Sequence, residues 1–154
     1  MNISVACDTL GMSLMNEIAP LLREALHEVV DHGHFVYRPD EGGKYFIDVL
    51  KEVASSILEG KTQRGIIFSG GGIIPVLVCN KIPGIRATII HDPYTAHIAV
   101  EHDHVQIMCV GGQVVGKGNV WELINIFLNA VGDQNGHSQR VLEELGKLDG
   151  SIKQ

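Results

Sequence analysis

Three short runs in this chain carry side chains whose types and spacing could do chemistry. The first is Ser69-Gly70-Gly71-Gly72, which follows the apolar run Gly65–Phe68 and precedes the apolar stretch Ile73–Cys79. Glycines between a buried strand and a helix let backbone N–H groups approach a ligand oxygen, and the helix start adds partial positive charge. Such a nest suits a phosphate or an enediolate oxyanion. It is neither the GxGxxG dinucleotide fingerprint nor a P-loop, because the third glycine and the Lys-Ser/Thr ending are missing. Without a ligand it reads as a tight strand-to-helix turn that needs positive φ. The second run is His102-Asp103-His104. Its histidines lie at i, i+2 with no CxxC or HExxH beside them, which argues for an acid or base at His102 rather than a metal site. The third is Asp8-Thr9, directly after the apolar run Asn2–Cys7. Asp8 there either binds sugar hydroxyls or caps the helix that follows. The other histidines singled out, His27, His32, His34 and His97, read as solvated side chains, and Tyr45, Phe46 and Trp121 as core.

These runs need a scaffold, and hydrophobic periodicity supplies one. Strands are expected at Asn2–Cys7, Glu28–Val30, Gly65–Phe68, Ile85–Ile90 and Gln106–Val110. Helices are expected from Leu14 to Leu26, with Ser13 as N-cap and Pro20 either kinking the helix or delaying its start, and at Tyr45–Glu59, closed by Gly60. Further helices follow at Ile73–Cys79, Tyr94–Glu101 and Asn119–Val131, and in a last polar segment around His137–Leu148. The run Asp31–Gly43 is polar and turn-rich and reads as a loop. Strands alternating with helices, and apolar on both faces, predict a three-layer, Rossmann-like, doubly wound parallel sheet of five strands. A single domain over 1–154 is expected, with the segment from about 133 onward packing on a neighbouring subunit. In such sheets ligands bind at the carboxyl ends of strands, near the reversal of strand order. Those ends are Asp8-Thr9, Ser69–Gly72, His91-Asp92 and Gly111-Gly112.

Composition narrows the classes. With 154 residues, 45% of them hydrophobic and 19% charged, the chain can bury a full core, which excludes disorder and a disulfide scaffold. A formal charge of −6 and an aromatic content of 5% disfavour nucleic acid as a partner. Cys7, Cys79 and Cys109 are far apart and odd in number, as in a reduced, cytoplasmic protein. Neither a signal peptide nor a membrane span is expected.

Taken together, the motifs resemble the ribose-5-phosphate isomerase B and galactose-6-phosphate isomerase family over nearly the whole chain. The marks are Cys7-Asp8-x-x-Gly11, Asp48, Gly65-Ile66-Ile67 running into Gly70-x-Gly72, and Asn80-Lys81-x-Pro83-Gly84-Ile85-Arg86-Ala87, then Asp92, Ala99-x-Glu101-His102, Gly111, Gly116 and His137-x-x-Arg140-Val141. The resemblance implies aldose–ketose isomerisation of a phosphorylated sugar (a tetrose, pentose or hexose phosphate) through a cis-enediolate, with no metal and no organic cofactor. It implies that His102 helps open the sugar ring, that the residue at position 69 moves the proton, and that the glycine loop Gly70, Gly71 and Gly72 donates N–H groups to the enediolate oxygen. By the same likeness His137 and Arg140 hold the phosphate in a site completed by a neighbouring subunit, and Asp8 and Thr9 line the ring-opening side. A homodimer or homotetramer is implied, or a heteromer with a homologous subunit. The chain departs from the family pattern at the chemistry. Ser69 stands for the usual cysteine, Gly71 for a threonine, Thr9 for a histidine, Asp103 for an asparagine, Gly136 for an arginine and Gln113 for an arginine, while Pro75 falls where certain relatives lacking that cysteine use a glutamate. Asp8, Asp103 and His102 are then the candidate bases, and an inactive sugar-phosphate-binding or partner subunit is the alternative.

Overall fold

The computed structural model describes residues 1–134 and 136–152, apart from the side chain of His137. Strands β1 (Asn2–Cys7), β2 (Glu28–Val36), β3 (Lys44–Tyr45), β4 (Arg64–Ser69), β5 (Ala87–Ile89) and β6 (Ile107–Gly111) form one sheet in the order β3-β2-β1-β4-β6-β5. Every pairing in it is parallel. From β1 the chain winds outward to β2 and β3, then crosses back past β1 to β4 and beyond. The strand order therefore reverses between β1 and β4, which brings Asp8 and Ser69 to the two sides of the switch point.

Helices α1 (Met12–Glu24), α2 (Phe46–Leu58), α3 (Ile73–Cys79), α4 (Pro93–Glu101), α5 (Lys117–Asn129) and α6 (Gly136–Asp149) complete the described chain. The two-residue alternation of the strands sorts their side chains into two cores. Ile3, Val5 and Cys7 of β1, Ile66 and Phe68 of β4, and Met108 and Val110 of β6 pack with α1, α4 and α5. Ala6, Ile67, Ile107 and Cys109 face the other way, against α2 and α3. This is the doubly wound, three-layer architecture that the periodicity predicts. Among the described residues no helix is long and apolar enough to cross a membrane.

Three local expectations are corrected. The sheet has six strands rather than five, because Lys44–Tyr45 pairs beside Phe35 and Val36. The segment expected as loop from Asp31 continues β2 to Val36. Helix α1 starts at Met12 with Gly11 as N-cap, so Ser13 lies inside it, and the helix runs through Pro20 to Glu24. Pro20 and Asn16 both face solvent, so the Asn16 carbonyl that loses its amide partner is free to bind water.

Gly11 is the tightest point of the β1–α1 turn. A Cβ there would lie 2.2 Å from the carbonyl carbon and oxygen of Phe68, at the end of β4. Gly11→Ala should therefore cost about 3 kcal/mol or more, because backbone would have to move. Gly118→Ala, which meets nothing within 4 Å in α5, should stabilise by about 0.5–1 kcal/mol. Urea unfolding of the two variants checks both signs, and equal midpoints would contradict the packing argument.

Candidate active site

Asp8 ends β1 and is 4% exposed. One carboxylate oxygen, Oδ1, accepts the amides of Leu10 at 2.9 Å and Gly11 at 2.8 Å, closing the turn into α1. The other, Oδ2, accepts the Tyr37 hydroxyl at 2.9 Å and, across the switch point, the Gly70 amide at 3.2 Å. Four donors on one buried carboxylate make it an anchor.

The turn Ser69–Gly72 is held from both sides. Its carbonyls at Ser69 and Gly70 accept the amides of Gly112 at 2.7 Å and Gln113 at 3.1 Å, from the loop after β6. Gly111 is itself held there by its own amide, which donates to His91 Nε2 at 3.1 Å at the end of β5. Ser69 is 1% exposed, and its Oγ accepts the Gly72 amide at 3.0 Å. Gly72 takes φ +81°, a conformation only glycine adopts without strain, so the positive φ expected of this turn falls at its last residue. The amides of Gly71, Ile73 and Ile74 have no partner among the described residues. A Cβ at Gly71 would face open space, its nearest neighbour being Ile73 Cδ1 at 4.0 Å. These open donors border a cleft of about 270 Å³ walled by Asp8, Leu10, Tyr37, Ile73 and Ile74. Chemically, the arrangement can stabilise negative charge on an oxygen.

Two residues of this region escaped the sequence reading. Tyr37 lies just past the end of β2, and burial together with the Asp8 carboxylate pushes its phenol well above the ordinary tyrosine range. His34, read as a solvated side chain, sits in β2 with Nε2 3.0 Å from Thr9 Oγ1. The register that pairs Cys7 with His34 brings both to the end of β1. No thiol replaces the missing cysteine. Burial raises Cys7 to about 11 and Cys79 to about 12, and lifts the fully enclosed Cys109 well above the ordinary thiol value. A larger groove of about 580 Å³ runs between β2 and α2. It lies away from the switch point, and its histidine, His32, is tied to the buried Ser4 hydroxyl at 3.0 Å.

The other expected residues stand elsewhere. His102 caps the C-terminus of α4 and is half exposed, 3.7 Å from Glu101. Helix α4 returns from the carboxyl edge of the sheet to its amino edge, where the carbonyls of Asp103 and His104 accept the Arg86 guanidinium just before β5. The five-residue strand β6, roughly 15 Å at ~3.3 Å per residue, separates that edge from Ser69. Asp103 is exposed, and its carboxylate makes no hydrogen bond or ion pair among the described residues. Arg140 is exposed on α6, and α6 follows a segment anchored to the same edge by the Asp133 amide on the Glu101 carbonyl at 2.8 Å. The side chain of His137 lies outside the described residues. Within this chain, then, Asp8, Thr9 and Ser69–Gly72 come together, while His102 and Asp103 are at the opposite edge. Among the described residues no group of three or more His, Cys, Asp or Glu is arranged to hold a metal ion.

The fold and the clamped turn define a doubly wound α/β domain with a small-ligand site at its switch point. The chain belongs to the ribose/galactose isomerase family, whose model matches residues 3–145. It is 32% identical to the D-erythrulose-4-phosphate isomerase of Pectobacterium atrosepticum, over 95% of this chain and 93% of that protein. It is 30% identical to the ribose-5-phosphate isomerase B of Escherichia coli, over 90% and 91%. Among solved structures it superimposes on the ribose-5-phosphate isomerase B of Clostridium thermocellum with a TM-score of 0.87 at 28% identity, covering 98% of this chain and 99% of that one.

Asp8→Asn tests the anchor. One accepting oxygen becomes an NH2 that must face a donor, leaving at least one buried donor unpaired at a cost of about 1–3 kcal/mol. Urea unfolding should show that loss. An unchanged midpoint would mean the four contacts do not hold the turn.

Proposed function

We propose that this protein interconverts an aldose phosphate and a ketose phosphate through a cis-enediolate, in a site shared between two subunits of a homodimer. The observation that carries this reading is the pinned glycine turn with its open amides at the switch point. In the reaction a base removes the proton from C2 of the open-chain aldose. The electron pair forms the C1–C2 double bond, and negative charge passes to the carbonyl oxygen beside the Gly71 amide. Return of a proton to C1, with transfer of the O2 proton to O1, gives the ketose. One oriented donor to such an oxyanion is worth about 10²–10³ in rate.

Several features support a second subunit. The residues of the opposite edge cannot reach the turn of their own chain, and Leu10 and Ile73, which wall the cleft, are more than half exposed, as are Leu77 of the same helix α3 and Val114 beside Gly111. In this reading the neighbouring subunit supplies His102 for ring opening, Arg140 for the phosphate and Asp103 as base. Asp103 is favoured over Asp8 because its carboxylate is unpartnered, whereas that of Asp8 already accepts four donors. A serine hydroxyl is too weak an acid to replace the cysteine unaided.

A panel of tetrose, pentose and hexose phosphates, followed for solvent-deuterium uptake at C1 or C2, tests the reading. Exchange with one of them is expected, and exchange with none would overturn it. Asp103→Asn should abolish exchange without loss of binding, and His102→Asn should slow cyclic substrates far more than open-chain ones. Mixing Asp103→Asn chains with Ser69→Trp chains, each inactive alone, should restore about a quarter of the wild-type rate through randomly paired dimers. No recovery would reject the shared site.

A further inference from the structure

The turn Ser69–Gly72 has several ties to its own side of the switch point and one across it. Gly112, Gln113 and the Ser69 hydroxyl hold three of its backbone groups. The tie across is the Gly70 amide on Asp8 Oδ2, at 3.2 Å the longest of the four bonds to that carboxylate. That same oxygen receives the Tyr37 hydroxyl at 2.9 Å. The phenol ring is itself fixed by two aromatic neighbours from different elements. It meets Phe35 of β2 edge-on at 5.8 Å and Phe46 of α2 at 5.3 Å, and Phe35 is fully buried. Tyr37 also walls the cleft beside Ser69 and Gly71.

We propose that Tyr37 is a positioning residue: it holds the Asp8 oxygen that receives the Gly70 amide, and so fixes the adjoining peptide whose Gly71 N–H faces the reacting oxygen. The catalytic consequence rests on the isomerase reading, while the clamp itself does not. Without the hydroxyl, Oδ2 would keep only the long bond from Gly70 while the amides of Leu10 and Gly11 hold Oδ1, so small rocking of the carboxylate would carry the Gly70 peptide with it. With a second donor on a packed ring, the oxygen has one position. The hydroxyl has a further effect. It occupies a lone pair that would otherwise point into a cleft where an anion develops, and like charges there would oppose the reaction. Burial and the neighbouring carboxylate keep the phenol protonated, so the donor persists at neutral and mildly alkaline pH. Its place in the chain explains why motif reading passes it over. It follows β2, one strand in from the sheet edge, and reaches the site through Asp8.

The test is Tyr37→Phe in the full-length protein, which keeps the ring and its packing and removes one oxygen. Amide hydrogen exchange at Gly70, followed by NMR, should quicken about tenfold, the size of one hydrogen bond to a charged group. The amides of Ile67 and Met108 in the core should exchange as before. In turnover assays kcat should fall about tenfold, with KM within about twofold. Unchanged exchange at Gly70 would overturn the clamp even if turnover fell. Uniformly faster exchange throughout the core would also overturn it, since the hydroxyl would then serve general stability. Faster exchange at Gly70 with unchanged kcat would refute the positioning role. If the wild-type protein isomerises no sugar phosphate, the functional reading fails, and the exchange comparison still decides the clamp.

Discussion

The contact on which the site depends is the bridge from the Asp8 carboxylate to the Gly70 amide across the gap where the strand order reverses. Two strands that are neighbours in the sheet but distant in sequence have independent turns at their ends, and nothing in a parallel ladder couples those turns. Here Asp8 closes its own turn with one oxygen and reaches the other strand's turn with the second. Gly11 allows this by lying against the Phe68 carbonyl with no side chain between. Removing either the carboxylate or the close approach would leave the glycine turn tied to β6 alone.

With the carbonyls of Ser69 and Gly70 and the amides of Gly70 and Gly72 engaged, the turn and the start of α3 leave the amides of Gly71, Ile73 and Ile74 without a partner among the described residues, at the border of the cleft. Preorganised donors need no rearrangement when charge develops, which is what makes them effective in an isomerisation that passes through an anion. The same connectivity explains why the proposed site draws on two chains. In a parallel sheet a helix carries the chain back to the amino edge, so a residue that caps the helix, such as His102, lies a strand length from the turn it would serve. In the proposed dimer a second copy would bring the two edges together, and the exposed apolar side chains beside the cleft would give it a surface to cover.

Much of this was legible in the sequence, for identifiable reasons. Strands buried on both faces, and glycines placed directly after one of them, mark the fold and the nest without coordinates. Asp8 was readable as either ligand or cap; the structure gives it the bonds that close the turn ahead of α1, whose N-cap is Gly11, together with a bridge that no local pattern reveals. The stretch Asp31–Tyr37 was not legible. Strand β2 lies near the sheet edge, paired on its outer side only through Phe35 and Val36, so its side chains are mostly half exposed and lack alternation. His34 and Tyr37 therefore looked like loop residues, and their roles come from partners about 25–30 positions away. Ser13 misled for a simpler reason: the helix begins two residues earlier because Gly11 can enter the gap beside β4 and a serine could not.

The central claim is that the Gly71 amide meets the charge that forms on the sugar. Its most direct test is an NMR titration with a sugar-phosphate hydroxamate, whose anionic oxygens imitate the enediolate. The account predicts a large downfield shift of the Gly71 amide proton and slowed exchange there on binding. Saturating binding that leaves the Gly71 amide unmoved would contradict it.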